Sequence, residues 1–144
     1  MATIFTRIIN GEIPGRFLWR DDRAVAFLDV RPLSPGHSLV VPIAEIDLWT
    51  DLPVDDAAHL MRVAHAVGSA QRQVFDAPRV GLMIAGFEVP HVHLHVMPAH
   101  SMQQFDFRHA NTSPDHAELD RHAEALRAAL RAAGHGRFVP DGAG

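Results

Sequence analysis

Residues 91–98, His-Val-His-Leu-His-Val-Met-Pro, alternate three histidines with apolar residues. Strict alternation has the period of a β-strand, so the three imidazoles are expected on one face and the apolar side chains on the other, towards a core. Alternate residues of a strand lie about 6.6 Å apart, which is too far for the rings to stack, yet one phosphate or one metal ion could contact two of them. Because an imidazole can act as nucleophile, base or metal ligand, the stretch predicts chemistry of that kind.

A chance occurrence of this pattern is the competing explanation, because the chain contains 11 histidines. The alternating partners are apolar and mostly β-branched, which favours a strand independently of the histidines. His59 and His65, in contrast, fall within a helical pattern and are interpreted as ordinary surface or boundary residues. The stretch 91–98 is therefore the functional candidate.

The composition of the chain is that of one globular domain, with 144 residues, 47% hydrophobic residues and a mean hydropathy of −0.01. A formal net charge of −4 gives no electrostatic reason to expect nucleic acid as a partner, although it is compatible with a compact phosphate ligand. No apolar run approaches the ~20 residues of a membrane helix, and the start of the chain lacks a signal-peptide pattern. The absence of cysteine excludes disulfides and thiolate metal sites, and the whole pattern is typical of a cytoplasmic protein.

Several elements before the histidine stretch are predicted to position it. Asn10-Gly11 is typical of the end of a short helix, and Pro53 with the acidic residues behind it is typical of the start of a long one. The predicted elements are a helix over 4–11, strands over 17–19, 24–30 and 37–42, a helix from 53 to about 76, and a strand over 80–85. A tight loop over 86–90 leads into the histidine strand.

The C-terminal third predicts one further helix. Ser113-Pro114-Asp115 is typical of a helix start, with Ser113 as the capping residue, and Gly134 is typical of a helix end. Phe105-Asp106-Phe107 is expected to pack as an irregular cover, and 136–144 to form a tail. Short loops between most strands favour antiparallel pairing. The predicted fold class is therefore α+β, a five-stranded antiparallel sheet with two main helices plus a short N-terminal helix, in a single domain spanning 1–144.

Residues 91–97 resemble the signature of the histidine triad (HIT) family, His-φ-His-φ-His-φ-φ, in which φ is apolar. Further segments resemble the family in the same order, namely 3–9, 12–14, 21–22, 26–30 and 35–42. The resemblance to a HIT-like core thus runs from about residue 3 to residue 98, and leaves about 99–135 as a C-terminal helical extension. Within the family, the chain is most similar to bacterial HIT proteins and Hint-type nucleoside phosphoramidases.

This resemblance implies a homodimer that binds a purine nucleotide and cleaves nucleoside-5′-phosphoryl-X substrates without a cofactor or a catalytic metal. Adenosine phosphoramidates and dinucleoside polyphosphates are both implied as substrates. By the same resemblance, His93 is the nucleophile that attacks the α-phosphorus and forms a covalent nucleotidyl-histidine intermediate, from which water releases the nucleotide. His95 would contact the phosphate and assist the leaving group, while His91 and His37 would support and orient the rings.

The resemblance also implies the nucleotide contacts. Asp29 would accept hydrogen bonds from the ribose hydroxyls, and Glu88 and Val89 would lie beside the nucleotide. The apolar base pocket would consist of Ile4, Phe5, Ile8, Phe27 and Val30. On sequence grounds alone, core packing is the alternative role for these apolar residues.

Some positions depart from the family pattern. Glu88 stands where Hint-type proteins carry a phosphate-binding serine, and Phe87 stands where glutamine is usual. Because a carboxylate repels a phosphate unless it is protonated or turned away, a second hypothesis is a nucleotide-binding or interaction module with little turnover. A metal site built on His-x-His is a third hypothesis. Thr3 and Thr6 occupy the positions of zinc-binding cysteines in some relatives, so no such zinc is predicted.

Overall fold

An antiparallel sheet of five strands is the centre of the structure, a computed structural model that describes residues 1–142. Its strands are β1 (Phe17–Arg20), β2 (Ala24–Leu28), β3 (Ser38–Pro42), β4 (Arg79–Met83) and β5 (Leu94–Ala99). The helices are α1 (Ile4–Ile9), α2 (Val54–Val74) and α3 (His116–Leu130). The strands pair in the order β1-β2-β3-β5-β4, which confirms the predicted α+β class. Within 1–142, no helix combines the length and the apolar character that crossing a membrane requires.

Both faces of the sheet are covered by apolar side chains. On one face, Leu94 and Val96 of β5 join Val67 of α2 in a cluster that also includes α3. On the other face, Phe5 of α1 joins Phe27 of β2 in a second cluster. The prediction that the apolar residues of the histidine stretch face a core is confirmed. Because the opposite face is covered as well, the histidines are also shielded from water.

The strand that carries the histidine motif begins later than predicted. His91 and His93 precede β5, because Val92 N–H donates to Ile46 O (2.8 Å), in the segment after β3, and not to a neighbouring strand. Of the three histidines, only His95 lies in β5 itself. The motif therefore consists of an irregular segment, which carries His91 and His93, followed by a regular strand, which carries His95.

Two other predicted boundaries are also wrong. Strand β2 ends before Val30, because Asp29 leaves the strand and its side chain accepts a hydrogen bond from Arg31 N–H (2.8 Å). Helix α3 is capped by Asp115, whose side chain accepts a first-turn N–H at 3.0 Å, and not by Ser113. In both cases an aspartate side chain accepts a hydrogen bond from the backbone N–H two residues later. Such local hydrogen bonds compete with regular secondary structure.

A buried glutamine connects α2 with the two segments that carry histidines. Gln71 Nε2 donates to Gly36 O, before β3, and to Val96 O, in β5, both at 2.9 Å. Since this side chain is fully buried, the two bonds fix both segments against the helix. The backbones of His37 and His95 are therefore held at a set separation.

The end of the described chain packs against β1. Phe138 stacks on Trp19 with ring centroids 4.8 Å apart, and Val139 is buried. The tail predicted over 136–144 therefore begins after residue 139, since apolar burial holds the residues before it. Ala143 and Gly144 lie outside the described residues.

We expect Gly36→Ala to destabilise the fold more than Gly11→Ala. Both glycines have positive φ, +88° and +82°, so alanine adds backbone strain of about 1–2 kcal/mol at each. Only at Gly36 would the new Cβ also collide with a neighbour, the ring of Phe75, which should cost a further ~1–3 kcal/mol. Urea unfolding of the two variants measures the difference in the free energy of unfolding. Equal losses would mean that the Phe75 ring moves aside without cost.

Candidate active site

Four buried histidines lie together on the face of the sheet that α1 covers. His37 immediately precedes β3, His91 and His93 precede β5, and His95 lies in β5. The ring centroids of His93 and His95 are 4.9 Å apart in an edge-to-face arrangement, and those of His37 and His95 are 5.2 Å apart. The rings of His93 and His95 are closer than the spacing of about 6.6 Å between alternate residues of a regular strand. We call the four residues the histidine cluster.

One hydrogen bond from the backbone determines the tautomer of His37, and through that ring the tautomer of His95. Leu33 N–H donates to His37 Nδ1 (3.0 Å), so the proton of that ring lies on Nε2. His37 Nε2–H then donates to His95 Nδ1 (2.9 Å). His95 must therefore carry its own proton on Nε2, because a neutral imidazole has one donor and one acceptor. Within residues 1–142 this buried N–H has no hydrogen-bond partner, so it is free to bond a ligand.

Burial keeps both of these rings neutral at physiological pH. Desolvation, together with the charge on His93, lowers the pKa of His37 to about 4. Desolvation also lowers the pKa of His95 to about 3, with smaller contributions from His37 and His93. The hydrogen bonds that fix the two tautomers require neutral imidazoles. The lowered pKa values of His37 and His95 are consistent with that requirement.

His93 is oriented by the backbone next to it. Its Nδ1–H donates to the carbonyl oxygen of His91 (2.7 Å), which leaves the lone pair on Nε2. The ring of Phe5 lies edge-on against it, with centroids 4.9 Å apart. An imidazole whose Nδ1 proton is held in this way presents Nε2 as a nucleophile.

Glu88 stands directly in front of that nitrogen. Its Oε2 lies 3.3 Å from His93 Nε2. Because Nδ1 already carries one ring proton, this contact is attractive only with a second proton between the nitrogen and the carboxylate. The Glu88 side chain is 42% exposed, so it can turn towards solvent without disturbing the core.

His91 uses both of its ring nitrogens for structure. Its Nε2–H donates to Pro42 O, at the end of β3, and its Nδ1 accepts from the hydroxyl of Thr3, both at 2.8 Å. Thr3 is the N-cap of α1, whose side chain also accepts Thr6 N–H (3.2 Å). Burial lowers the pKa of His91, which favours the neutral ring that these two bonds need. His91 therefore joins the start of α1 to β3.

The two threonines at α1 do not form a zinc site. Glu45 Oε1 accepts hydrogen bonds from Thr3 N–H and from the Thr6 hydroxyl, both at 2.7 Å. Together with His91 Nδ1, these polar groups satisfy one another. Structural zinc in proteins prefers thiolates and imidazoles, and this set offers one imidazole with two hydroxyls and one carboxylate, so it does not fit that ion.

Asp29 borders the histidine cluster on the side of His37. Its Oδ1 accepts Arg31 N–H (2.8 Å), and its Oδ2 lies 3.7 Å from His37 Nε2. Desolvation raises the pKa of this carboxyl, against the Arg31 N–H bond and the charge on His93, which lower it. One oxygen is thus engaged by the loop, and the other faces the site.

The apolar residues predicted for the base pocket fall into two groups. Phe5, Ile8 and Phe27 are buried in the cluster beneath α1, with the Phe5 and Phe27 rings 5.7 Å apart, so core packing is part of their role. Ile4 and Val30 are about half exposed and offer apolar surface to a ligand. Of the predicted pair in the loop, Val89 packs against the same apolar cluster, whereas Glu88 faces His93.

Sequence reasoning missed two groups that complete the site. The backbone N–H of Leu33 has no sequence signal, since any residue except proline would supply it. Phe107 lies in the segment expected to form an irregular cover, and its ring centroid is 4.9 Å from that of His95. The aromatic pair Phe105 and Phe107 was the available signal, but nothing in the sequence indicated which histidine it would contact.

Comparison with known proteins matches the chain to one family. The sequence model of the HIT domain matches residues 10–102. An uncharacterized HIT-like protein of Methanocaldococcus jannaschii is 36% identical over 99 residues, which are 66% of this chain and 77% of the relative. A crystal structure of a Zn-bound histidine triad family protein from Mycobacterium smegmatis superposes with a TM-score of 0.79 at 27% identity, covering 94% of this chain and 98% of that one. A HIT family hydrolase from Legionella pneumophila gives 0.59 at 31% identity, covering 70% and 96%.

The free energy of unfolding should fall as the pH is lowered from about 6.5 to about 4. In this window the unfolded chain protonates His37 and His95, while burial keeps the folded rings neutral. Because the unfolded state then binds more protons, each ring contributes a loss of up to about 1.4 kcal/mol per pH unit. Urea unfolding across this range measures the slope. His37→Gln should flatten it, whereas Gln at the exposed His65 should not; identical slopes for all three proteins would contradict the assignment.

Proposed function

The chain belongs to the histidine triad family, and we propose that it cleaves nucleoside-5′-phosphoryl-X substrates as a nucleotidyl hydrolase or transferase. The observation that carries the proposal is the Nε2 lone pair of His93, fixed by the bond from Nδ1–H to His91 O (2.7 Å). The similarity to the Legionella hydrolase supports an enzymatic role. The leaving group X would be an amine in an adenosine phosphoramidate, or a phosphate chain in a dinucleoside polyphosphate.

In the proposed reaction His93 Nε2 attacks the α-phosphorus, the P–X bond breaks, and the nucleotide stays on the imidazole as a covalent intermediate. The ring gains positive charge, which the carbonyl of His91 stabilises through Nδ1–H. Water then attacks the phosphorus, and the bond to His93 breaks to release the nucleoside monophosphate. The Nε2–H of His95, which has no partner among residues 1–142, is a fixed donor for a phosphate oxygen in both steps.

The same proposal places a purine nucleoside beside α1. Asp29 Oδ2 would accept from the ribose hydroxyls, since Oδ1 is already bonded to Arg31 N–H. The base would lie on the exposed apolar surface of Ile4 and Val30. The buried rings of Phe5 and Phe27 support that surface from below.

We propose that the reaction needs neither a cofactor nor a catalytic metal, although two groups have the composition of a metal site. These are Asp29 with His37 and His95, and Glu88 with His93 and His95, each with its ligand atoms within 4.8 Å of one another. A cation in the first group would take the Nδ1 lone pair that accepts from His37. A cation in the second would take the His93 lone pair that the proposed attack requires. A metal at either group would therefore compete with the proposed chemistry.

A module that binds nucleotides with little turnover is the second candidate. The observation that favours it is Glu88, whose carboxylate stands 3.3 Å from the nucleophilic nitrogen of His93. A substrate phosphate has to displace this group before it can reach Nε2. The two candidates differ in whether a covalent intermediate forms.

A cytoplasmic location and the lack of a nucleic-acid or membrane partner also belong to this proposal. The net charge of −4 gives no electrostatic reason to expect nucleic acid as a partner. The absence of cysteine is typical of a chain that does not depend on an oxidising compartment.

We propose a homodimer that forms along β4. This strand is at one edge of the sheet, where backbone groups lack a neighbouring strand. Leu82 of β4 and Met61 of α2 are both about half exposed beside it, which gives the edge an apolar border.

Replacement of Leu82 by arginine should convert the dimer to monomer, because it places a charge in the proposed apolar contact. Analytical ultracentrifugation measures the mass in solution. Arginine at Val54, which is also exposed but does not border β4, should leave the mass unchanged. A wild-type protein that sediments as a monomer would contradict the proposed homodimer.

Removal of the proposed nucleophile, His93→Ala, should lower turnover of a fluorogenic adenosine phosphoramidate by at least ~10³-fold. Mass spectrometry of the wild-type protein after rapid quenching should show a nucleotidyl adduct on His93. His65→Ala is the control for surface histidine loss, and EDTA should leave wild-type turnover intact. Near wild-type turnover by His93→Ala, combined with loss in His95→Ala, would show that the roles are assigned wrongly.

Asp29→Asn should weaken AMP binding by roughly 1–2 kcal/mol, because the amide nitrogen cannot accept a ribose hydroxyl proton. A 2′,3′-dideoxy analogue of AMP already lacks those hydroxyls, so the substitution should cost it much less. Isothermal titration of both ligands with both proteins measures the two losses. If they are equal, Asp29 holds its loop through Arg31 N–H and does not bind the sugar.

A further inference from the structure

The source of the proton that a leaving group needs is a separate question from the identity of the nucleophile. His95 is close to the reacting atoms, but it is a neutral ring with a single proton on Nε2. If it gave that proton away, Nδ1 would have to be reprotonated by His37, and His37 in turn by the amide of Leu33. A backbone amide does not release its proton at neutral pH. The hydrogen bonds that run from Leu33 through His37 to His95 therefore let His95 donate a hydrogen bond to a ligand. They do not let it transfer its proton to a leaving group.

Two carboxyl groups stand close to the cluster, and they face different rings. Asp29 Oδ2 is nearest to His37, at 3.7 Å from Nε2, and its other oxygen is bonded to the loop. Glu88 Oε2 is 3.3 Å from the reactive nitrogen of His93. Because the first ring proton of His93 is committed to His91 O, a hydrogen bond between His93 Nε2 and Glu88 would need one extra proton, shared by the two groups. The Glu88 carboxyl group is therefore next to the atom where the reaction takes place, in a position to carry a proton there.

We propose that Glu88 is the general acid of the reaction and that it makes the site selective for nitrogen leaving groups. The proposal rests on the nucleotidyl-transfer function argued above, and it assigns to Glu88 the assistance that the family resemblance gave to His95. The phosphorus has to enter the space in front of Nε2, so the carboxyl group moves to the side of the scissile bond and keeps the proton. Its exposure, and the short segment 86–90 that carries it, permit this movement.

The proton balance closes over one cycle. The Nε2 lone pair forms the bond to phosphorus, the P–N bond of the substrate breaks, and its electron pair stays on the leaving nitrogen. That nitrogen takes the proton of Glu88 and departs as a neutral amine. Water then attacks, Glu88 accepts one water proton, and the pair of the breaking Nε2–P bond returns to His93. His93 and Glu88 again hold one shared proton.

This arrangement distinguishes leaving groups by their chemistry. An amine is a poor leaving group without a proton, so a general acid beside the P–N bond accelerates its departure. A polyphosphate leaves as a stable anion and gains little from that acid. After proton transfer, the Glu88 carboxylate also repels a polyphosphate, but not an amine. The aromatic ring of Phe107, against His95, gives the neighbouring wall apolar character that suits the carbon part of an amine.

A leaving-group series with matched variants tests the assignment. The substrates are an adenosine 5′-phosphoramidate of an alkylamine, an adenosine 5′-phosphoryl ester of p-nitrophenol, which leaves without a proton, and diadenosine tetraphosphate. The proteins are wild type, Glu88→Gln, which keeps the shape but has no acidic proton, and Glu124→Gln, an exposed glutamate on α3. Glu88→Gln should lose at least ~10²-fold in kcat/KM on the alkylamine substrate and only a few-fold on the nitrophenyl ester. Glu124→Gln should match wild type on all three.

Chemical rescue provides an independent measurement. Formate should restore turnover of the alkylamine substrate by Glu88→Ala and have no such effect on the nitrophenyl ester, because formic acid replaces the missing proton donor. Equal losses of Glu88→Gln on all substrates, or no loss at all, would overturn the role of Glu88 while leaving the nucleotidyl-transfer function intact. An absence of turnover and of a His93 adduct in the wild type would overturn that function, and the role of Glu88 with it.

Discussion

The N–H of Leu33 donates to His37 Nδ1, and the proton positions in half of the histidine cluster follow from that bond. Since His37 has to carry its proton on Nε2, His95 has to accept on Nδ1 and present Nε2–H to the site. A peptide N–H cannot exchange roles with its acceptor, so this direction is permanent. Each imidazole alone would interconvert between two tautomers. The fold removes that freedom with one backbone donor.

Burial of the cluster makes the same arrangement stable. A buried polar atom without a partner is costly, and seven of the eight ring nitrogens of the cluster have a partner, three of them from the backbone. The carbonyls of His91 and Pro42 accept from His93 and His91, and the Thr3 hydroxyl donates to His91. The exception is His95 Nε2, which faces the site and has no hydrogen-bond partner in the part of the chain that the structure describes. An unpartnered buried donor at this position is consistent with a ligand that supplies the missing acceptor.

Hydrogen bonds between side chains hold the start of α1 against the sheet. Thr3 caps the helix and bonds His91, while Glu45 accepts from Thr3 and Thr6. A set of hydrogen bonds therefore joins α1, β3 and the approach to β5. The charge of Glu45 is stabilised there by two donors, and these bonds lower its pKa.

The sequence by itself determined the α+β class, the alternation of buried apolar residues in the histidine stretch and the membership of the histidine triad family. These properties depend on the local periodicity of apolar residues and on residues close together in the chain, such as Val92, Leu94 and Val96. It could not determine that His91 and His93 precede the strand, because the competing partner of Val92 N–H is Ile46, distant in sequence. Nor could it determine which nitrogen of each ring carries the proton. The tertiary structure decided that by placing Leu33 N–H against His37 Nδ1 and the carbonyl of His91 against His93 Nδ1, since a tautomer depends on the hydrogen-bond partner in space and not on the residue type.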